Sequence, residues 1–537
     1  MADSTINRTQ TSTWAKQKCL IACCIVAIAN MQYGFDSAAI AGLQAMPGFL
    51  KVFGYEDPES PIGYNITSTV QQLIISAFVL GAFIASLVAG LFGTFLGHKR
   101  GLWLACLINF AACGIQAGTS SKGLLYFGRL LLGFSNGFYV TFSNSYIAEV
   151  APAHLRGLLV ALYACWMNIG QILGSVVVNY TKDRMGKSSY QIPIACLCIV
   201  PLLLSAGLFF VPESPRWLLH RGKEQQARLS WEVLRAHSAA PECLNFEWME
   251  IITGVEEEKS LSKNVEGLEM FRGANLRRTL LCYGVIGSMN FSGCWFIIAF
   301  QTYFFAIAGI SKSFRFTIMN TCLGLLGVFC GMYAIWQLAG RRVVCMVGYL
   351  ACALCFLSMA IAGTVKATGN EVGDAIVAFV ALYMFFYNGC LNSTSYTLAT
   401  ELVSSRLRVW TVGTATSFGC VLSWVTLFIT PYFINPQDLN WGPKYGYIWA
   451  GLNFIYVLFY YFFVPETRDR SLEELDELFE KRVGVKEFQT YQTTVGNEAL
   501  GNIRAKLGPS SLIGQDDITN DKNGGTTTTV VESTNVV

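Results

Sequence analysis

Long apolar stretches alternate with short polar segments along most of this chain. Each stretch is about 20 residues, the length of helix that crosses roughly 30 Å of hydrocarbon. Because backbone groups in lipid must be paired within the segment itself, each stretch predicts a transmembrane helix. Twelve spans are predicted, at residues 18–42, 70–92, 102–119, 124–148, 158–180, 190–211, 279–309, 317–338, 343–365, 374–400, 410–433 and 445–464. The expected fold class is an all-α membrane protein.

Three polar segments divide the chain into two groups of six spans. The tail ends in "KNGGTTTTVVESTNVV", a composition that cannot bury enough apolar surface to fold alone. The predicted domains are a cytoplasmic N-terminal segment (1–17), a six-helix bundle (18–211), a cytoplasmic linker with short helices (212–278), a second six-helix bundle (279–464), a cytoplasmic helix (465–481) and a disordered cytoplasmic tail (482–537).

Short charged motifs recur at the same place in each group of spans. "YIAEVAPAHLRG" after the fourth span is answered by "LATELVSSRLRV" after the tenth, and "VPESPR" after the sixth by "VPETRDR" after the twelfth. "LGHKRG" after the second is answered by "AGRRV" after the eighth. Because each pair of motifs follows the same numbered span within its group of six, the matches indicate an internal duplication of six spans. The charged residues concerned are Glu149, Arg156, Glu213, Arg216, Arg341, Arg342, Glu401, Arg408 and Glu466.

The distribution of charge predicts the orientation of the spans. Only 14% of residues are charged, well below the share in a soluble domain. Lysine and arginine concentrate in the loops after the even-numbered spans, which should be cytoplasmic, and both termini with them. Asn65 and Asn179 begin Asn-X-Thr sequons in predicted outer loops and are glycosylation candidates.

The repeated charges suggest a cytoplasmic gating network. A charge at the edge of the hydrocarbon is costly and normally finds a partner, so ion pairs joining helix ends are expected. Such pairs can form in one conformation and separate in another. The alternative is that these residues only set topology and solvate helix ends.

Four stretches resemble the sugar porter family of the major facilitator superfamily. They are "GRLLLGFSNGFYVTFSNSYIAEVAPAHLRG", "VPESPRWLLHRGKEQQA", "GRR" after the eighth span and "VPETRDRSLEELDELF" after the twelfth. "TPYFINPQDLNWGPKYGYIW" and "ACWMNIGQIL" look most like fungal alpha-glucoside (maltose-type) permeases. The resemblance implies the major facilitator fold, twelve helices in two six-helix pseudo-repeats, and alternating-access transport by a monomer in the plasma membrane.

Asp36 is the clear acidic residue inside a predicted span. The directions of the first and fourth spans place it at the depth of Arg129. A buried carboxylate beside an arginine can exist as an ion pair or, after the pair separates, as a neutral acid. The resemblance implies that Asp36 and Arg129 couple transport to protons. A static salt bridge between two helices is the alternative.

Side-chain amides and aromatic rings within the spans are candidates to bind a neutral sugar. Each could instead join helices. Met289 and Asn290 stand about where the family has a pair of glutamines, so the pocket is expected to differ from the family pattern. The candidates are Asn168, Gln171, Asn290, Gln301, Tyr303, Asn320, Asn392, Tyr396 and Trp424, together with Asn388.

The leading hypothesis is proton-coupled import of a neutral sugar, an alpha-glucoside or a hexose. The expected partners are the sugar and the lipid bilayer, with no nucleic acid. A proton is the coupling ion, and no metal or organic cofactor is expected. Alternatives are a facilitator or exporter of another polyol or small metabolite, and a sugar sensor that does not transport. An enzyme is not expected, because the spans lack a convergent catalytic set.

Overall fold

The computed structural model describes most of the chain between residues 17 and 493. Of the predicted N-terminal segment it describes Gln17, and residues 494–537 of the predicted tail lie outside its described part. The described residues are 17–58, 63–151, 156–235, 248–249, 251–256, 267–310, 312–338, 340–365, 370–404, 407–468, 470, 472–491 and 493.

The first half of the molecule contains helices for six spans and a small outer hairpin. Strands β1 (Tyr55–Glu56) and β2 (Tyr64–Asn65) pair antiparallel, with Tyr55 opposite Asn65. The helices are α1 (Gln17–Ala27), α2 (Ala29–Leu43), α3 (Pro47–Phe53), α4 (Ser68–Leu96), α5 (His98–Gly118), α6 (Lys122–Val150), α7 (Arg156–Thr181), α8 (Ser188–Cys196) and α9 (Ile199–Leu208).

The linker contributes α10 (Pro215–His220) and α11 (Glu224–Arg235). The second half again supplies six spans, followed by one more helix. Its helices are α12 (Gly273–Asn290), α13 (Cys294–Ile307), α14 (Ser313–Tyr333), α15 (Arg341–Val365), α16 (Asn370–Phe386), α17 (Ser395–Glu401), α18 (Arg408–Ile434), α19 (Gly446–Phe462) and α20 (Leu472–Glu480). The end of the bundle that carries residue 17 and α20 is called the inner end below, and the opposite end the outer end.

Each of the twelve predicted spans coincides with helix in the structure. Nine helical stretches among the described residues are long and apolar enough to cross a membrane. The other three predicted spans correspond to α6 with 29 residues, α7 with 26 and α19 with 17. The predicted all-α membrane fold is confirmed.

Several spans are interrupted where the candidate residues lie. The first span breaks at Ile28 between α1 and α2, and the tenth passes through a π-helical segment, Tyr387–Asn392. The seventh breaks between α12 and α13 at Gly293, whose φ of 88° is left-handed and favours glycine. A break of this kind leaves backbone N–H and C=O groups without helical partners and changes the direction of the side chains. Such groups are available to a ligand, so helix breaks are common at functional sites.

Glycines allow helix backbones to touch inside each half. A Cβ at Gly34 of α2 would lie 1.9 Å from the carbonyl oxygen of Met167 on α7. A Cβ at Gly331 of α14 would lie 1.8 Å from the carbonyl oxygen of Gly389. No larger residue fits at such contacts, so small residues set the helix spacing as they do in other membrane bundles.

The ordered chain continues past residue 482, the predicted start of the disordered tail. Phe488 is fully buried and its ring lies 5.2 Å from the ring of Phe479 on α20. Arg470 donates to the carbonyl oxygens of Gln489 and Tyr491 at 2.9 and 2.8 Å. Residues 482–491 therefore fold back onto α20 rather than forming part of a disordered tail.

Candidate functional site

Hydrogen bonds between the two halves close the outer end. Asn435, which follows α18, donates through Nδ2 to Gln71 Oε1 at 3.0 Å and to Ser68 Oγ at 2.5 Å, both at the start of α4. Ser68 Oγ also donates to the carboxylate of Asp438. Tyr303 of α13 has its hydroxyl 3.0 Å from Asn65 Oδ1 and 2.7 Å from Asn435 Oδ1. These residues form the outer latch: Asn65, Ser68, Gln71, Tyr303, Asn435 and Asp438.

The outer latch changes the interpretation of two predicted residues. Tyr303 is fully buried within it, so the structure places this substrate candidate at the closed outer end. Asn65 is 3% exposed, and its Nδ2 donates to Asp57 at 3.1 Å. The nitrogen that would carry a glycan is engaged and buried in this conformation, and whether Asn65 carries a glycan stays a prediction.

Acidic side chains from both halves lie near Tyr55 of the outer hairpin. Burial raises the pKa of the Tyr55 phenol, and the nearby carboxylates of Asp57 and Asp438 raise it further. The phenol therefore stays neutral in the physiological range. Asp57 belongs to the outer hairpin and Asp438 to the loop after α18, so charges from both halves act on this phenol.

Asp36 and Arg129 form a buried ion pair inside the first half. The Asp36 side chain, 1% exposed, accepts from Arg129 Nη1 at 2.6 Å through Oδ1. Arg129 also donates through Nε to the Ile74 carbonyl oxygen at 3.3 Å and lies 4.8 Å from the ring centroid of Phe78. The second carboxylate oxygen, Oδ2, is buried without a partner among the described residues. The prediction that Asp36 and Arg129 lie at the same depth is correct, since the two side chains are in contact.

Three asparagines meet at the middle of the molecule. Asn168 of α7 and Asn392 each donate through Nδ2 to Asn388 Oδ1 at 3.3 Å, and the first of these bonds joins the two halves. Gly324 of α14 packs against the same pair, because a Cβ there would lie 2.9 Å from Asn388 Nδ2. Asn168 Oδ1 has no partner among the described residues. A free amide oxygen in this position can accept from a ligand hydroxyl.

A second polar group surrounds the break in the seventh span. Asn290 Oδ1 accepts from Trp295 Nε1 at 2.9 Å and from the hydroxyl of Ser423 on α18. The ring of Trp295 packs edge-on against the ring of Tyr33 from the first half, with the ring centroids 6.5 Å apart. Asn290, which with Met289 stands about where the resemblance implies a pair of glutamines, therefore makes its hydrogen bonds within the protein.

The other five substrate candidates are not joined to these groups by the described contacts. Both amide atoms of Asn320 and the Nε2 of Gln301 are buried without partners in the described part of the chain, and Gln171 is buried. Tyr396 is 48% exposed, and Trp424, stacked on Phe428, is 38% exposed. Their roles in binding stay predictions.

At the inner end, the first half builds its contacts around Glu213. The Glu213 carboxylate accepts from the backbone N–H groups of His98 and Lys99 at 3.2 Å, which caps the start of α5. His98 Nε2 lies 3.5 Å from Glu149 Oε1, an ion pair when the imidazole is protonated. The hydroxyl of Ser214 donates to the same Glu149 carboxylate.

The second half repeats this arrangement with different residues. Glu466 accepts from the backbone N–H of Arg342 at 3.1 Å at the start of α15. Thr467 Oγ1 donates to Glu401 Oε2 at 2.6 Å, and Arg341 Nη2 lies 3.2 Å from Glu401 Oε1. Glu466 and Thr467 therefore do here what Glu213 and Ser214 do in the first half, which supports the predicted duplication.

The remaining members of the predicted network are located as follows. Arg216 lies in α10, and Arg408 is the first residue of α18. Arg156 begins α7, but its side chain lies outside the described residues. Asn179, the second glycosylation candidate, is half-buried in the last turn of α7 rather than in a loop. Whether it carries a glycan stays a prediction.

Several residues of these sites are missed by sequence reasoning. His98, Ser214 and Thr467 complete the inner contacts, and the repeated hydroxyl after the glutamate in "PES" and "PET" is a signal for two of them. Asn435 and Gln71 belong to the outer latch, but they lie near span ends, where polar residues are common and carry no distinct pattern.

Comparison with known proteins identifies the family. A family model described as "Sugar (and other) transporter" matches residues 22–479. The chain therefore belongs to this family of multi-pass membrane transporters. The predicted resemblance is confirmed, and membership of a transporter family supports the expectation that the chain is not an enzyme.

Relatives of this chain include fungal transporters. The major facilitator-type transporter ecdD of Aspergillus rugulosus is 30% identical over 470 residues, which are 84% of this chain and 86% of that protein. The general alpha-glucoside permease of Saccharomyces cerevisiae is 28% identical over 474 residues, or 86% and 76%. The low-affinity glucose transporter HXT3 of the same yeast is 26% identical over 494 residues, or 90% and 86%.

Solved structures share the fold. The inward open conformation of the xylose transporter XylE from E. coli superposes with a TM-score of 0.69 at 20% identity, covering 86% of this chain and 99% of XylE. The structure of the proton:xylose symporter XylE bound to 6-bromo-6-deoxy-D-glucose gives a TM-score of 0.67 at 21% identity, covering 86% of this chain and 99% of XylE. The chain thus has the twelve-helix major facilitator fold.

Proposed function

We propose that this protein imports a neutral sugar together with a proton, and that alpha-glucosides are its first candidate substrates. The observation that carries the proposal is the buried Asp36–Arg129 pair, whose carboxylate has one oxygen without a partner in the described chain. A proton on Asp36 removes the charge that holds Arg129, so protonation and helix contacts are linked.

The closed outer end supports an inward-facing stage of the proposed cycle. The latch joins the two halves outside, whereas the inner ion pairs His98–Glu149 and Arg341–Glu401 each stay within one half. An inward-facing state with an intact Asp36–Arg129 pair corresponds to the stage after the proton has left. Return to the outward-facing state then requires the latch to open.

The substrate class rests on two supports. The names of the relatives describe an alpha-glucoside permease, a glucose transporter and a proton:xylose symporter. The amide oxygen of Asn168 and both amide atoms of Asn320 are buried without partners in the described chain, and such groups are costly unless a ligand or water satisfies them. We further propose a monomer in the plasma membrane with both termini in the cytoplasm.

Facilitated transport of another polyol or small metabolite is the second candidate. It is favoured by Asn290, whose amide oxygen is already bonded to Trp295 and Ser423. A ligand would have to displace these partners or bind elsewhere, so the pocket can select a substrate other than maltose or glucose.

Uptake of labelled maltose and glucose by cells lacking their own carriers tests the proposal. It is measured at external pH of about 5 and about 7, for wild type and Asp36→Asn. Symport predicts faster uptake at the lower pH and loss of this advantage in the variant. Uptake that depends neither on pH nor on the substitution would indicate facilitated transport without proton coupling. Absence of sugar uptake by protein shown to be at the cell surface would reject the sugar assignment.

A further inference from the structure

Helices α2 and α6 are joined by two buried polar contacts at different depths. The outer contact is the ion pair of Asp36 with Arg129. The second lies nearer the inner end, where Ser143 Oγ donates to Asn30 Oδ1 at 3.1 Å. All four side chains are buried. The two helices run in opposite directions, so the residues between these two contacts lie at the same range of depths on both helices.

Two buried amides occupy the interval between these contacts. Gln32 lies one helical turn from Asp36 on α2. Asn136 lies seven residues from both Arg129 and Ser143 on α6, and this spacing puts the three on one helix face. Gln32 and Asn136 are fully buried. The polar seam consists of Asp36, Arg129, Gln32, Asn136, Asn30 and Ser143.

The polar seam contains more hydrogen-bonding atoms than the described residues satisfy. Buried atoms without a partner in the described chain are Gln32 Nε2 and Oε1, Asn136 Oδ1, Asn30 Nδ2 and Asp36 Oδ2. Each such atom costs about 1–3 kcal/mol if it stays unpaired. Buried water relieves that cost where several polar partners surround one position. Five unpaired buried atoms at depths between Asp36 and Asn30 indicate water molecules held along this interval.

A proton released from Asp36 must cross the protein interior to reach the inner end. The carboxylate is buried and the outer end is closed, so no open passage among the described residues reaches it in this conformation. The titratable groups near it are Arg129, the thiol of Cys113 on α5 and the phenol of Tyr33 on its own helix. Beyond Asn30 and Ser143, α6 continues to Tyr146 and to Glu149, which faces His98.

We propose that water held by Gln32 and Asn136 carries the proton from Asp36 along the polar seam to the inner end. The inference rests on the proton coupling proposed above. The acid O–H of Asp36 gives its proton to the first water, and the last water releases one proton into the cytoplasm. The remaining carboxylate then pairs with Arg129. Gln32 and Asn136 do not titrate, so they are positioning residues that orient the water.

The variants Gln32→Leu and Asn136→Leu replace each amide with an apolar side chain of similar volume. Asn136→Ser keeps a polar group that can hold water. Gln44→Leu is the matched control, because Gln44 is also a buried glutamine near the end of α2 with an unpaired Oε1, but it lies two turns outward from Asp36. Purified proteins are compared in proteoliposomes that contain a trapped pH dye.

Two readouts separate proton release from sugar movement. The first is accumulation of labelled maltose driven by a pH gradient, with the dye reporting proton entry. The second is maltose exchange at equal pH, which needs the conformational change but no net proton release. We expect the two leucine variants to lose on the order of tenfold in the first readout. Exchange should change little, and Asn136→Ser and Gln44→Leu should resemble wild type.

Each other outcome contradicts the inference in a distinct way. Leucine variants that accumulate maltose like wild type show that the seam does not carry the proton. Equal loss of accumulation and exchange shows that the amides only hold the helices together. If wild type itself moves no protons with maltose, the proposed function fails and the inference fails with it.

Discussion

The hydroxyl of Tyr303 lies 3.0 Å from Oδ1 of Asn65, so the seventh span of the second half meets the outer hairpin of the first. The same hydroxyl is 2.7 Å from Asn435 Oδ1, and its single proton can serve one of these acceptors at a time. A latch built on such exchangeable bonds holds the described residues of the outer end together through hydrogen bonds.

Tyr303→Phe should loosen the outer latch. The substitution removes only the hydroxyl, and a hydrogen bond is worth about 1 kcal/mol, which shifts a two-state equilibrium roughly fivefold. Hydrogen exchange measured by mass spectrometry should be faster in residues 63–71 of the variant. Tyr383→Phe is the control, because the Tyr383 hydroxyl donates to Ser292 within the second half. Equal exchange in the two variants would argue against a latch.

Removing one partner of the coupling pair should destabilise the protein more than removing both. Asp36→Asn and Arg129→Met each leave a buried charge unpaired, at a cost of about 3–5 kcal/mol. The double variant leaves no buried charge, so its thermal unfolding in detergent should return toward wild type. Its proton-driven uptake should stay lost. A double variant as unstable as the sum of the single changes would contradict this account.

The central asparagines should contribute to substrate affinity. Asn168→Ala and Asn388→Ala each remove an amide near the middle of the molecule, and each should raise the KM for maltose about fivefold with little change in the maximal rate. Asn453→Ala is a control, since this buried amide donates to Ser292 inside the second half. An unchanged KM in both central variants would place the sugar elsewhere.

The Arg341–Glu401 pair should stabilise the inner end modestly. Both side chains are about one quarter exposed, so solvent weakens their attraction. A double-mutant cycle with Arg341→Gln and Glu401→Gln should give a coupling energy of about 0.5–1 kcal/mol in thermal unfolding. The coupling should fall when salt is raised. A coupling that is absent at low salt would count against the pair.

Asn65→Gln should not change the glycosylation state of the protein. The buried Nδ2 is bonded to Asp57, so the mobility of the mature protein in gel electrophoresis should match wild type with and without glycosidase treatment. The variant should instead speed hydrogen exchange in the outer hairpin, as Tyr303→Phe does. Loss of a glycan from Asn65→Gln alone would show that the side chain is exposed during maturation and stays so.

The spans were predictable because length and hydropathy mark them independently of tertiary contacts. The Asp36–Arg129 contact was also predictable, since a charge in the hydrocarbon needs a partner and depth limits the choice. Gln32 and Asn136 were not, because a single amide inside a span carries no sign of the helix it faces. Ile28 and Gly293 break their spans through local backbone geometry that hydropathy averages away.

Close glycine contacts such as Gly34 with Met167 and Gly331 with Gly389 join helices of the same half. Helices whose backbones are in direct contact cannot easily slide past one another. The side-chain hydrogen bonds of the outer latch, in contrast, can break one at a time. The molecule is consequently stiff within each group of six helices and compliant along the boundary between them. A tilt of one group against the other is therefore the rearrangement that breaks the fewest close backbone contacts.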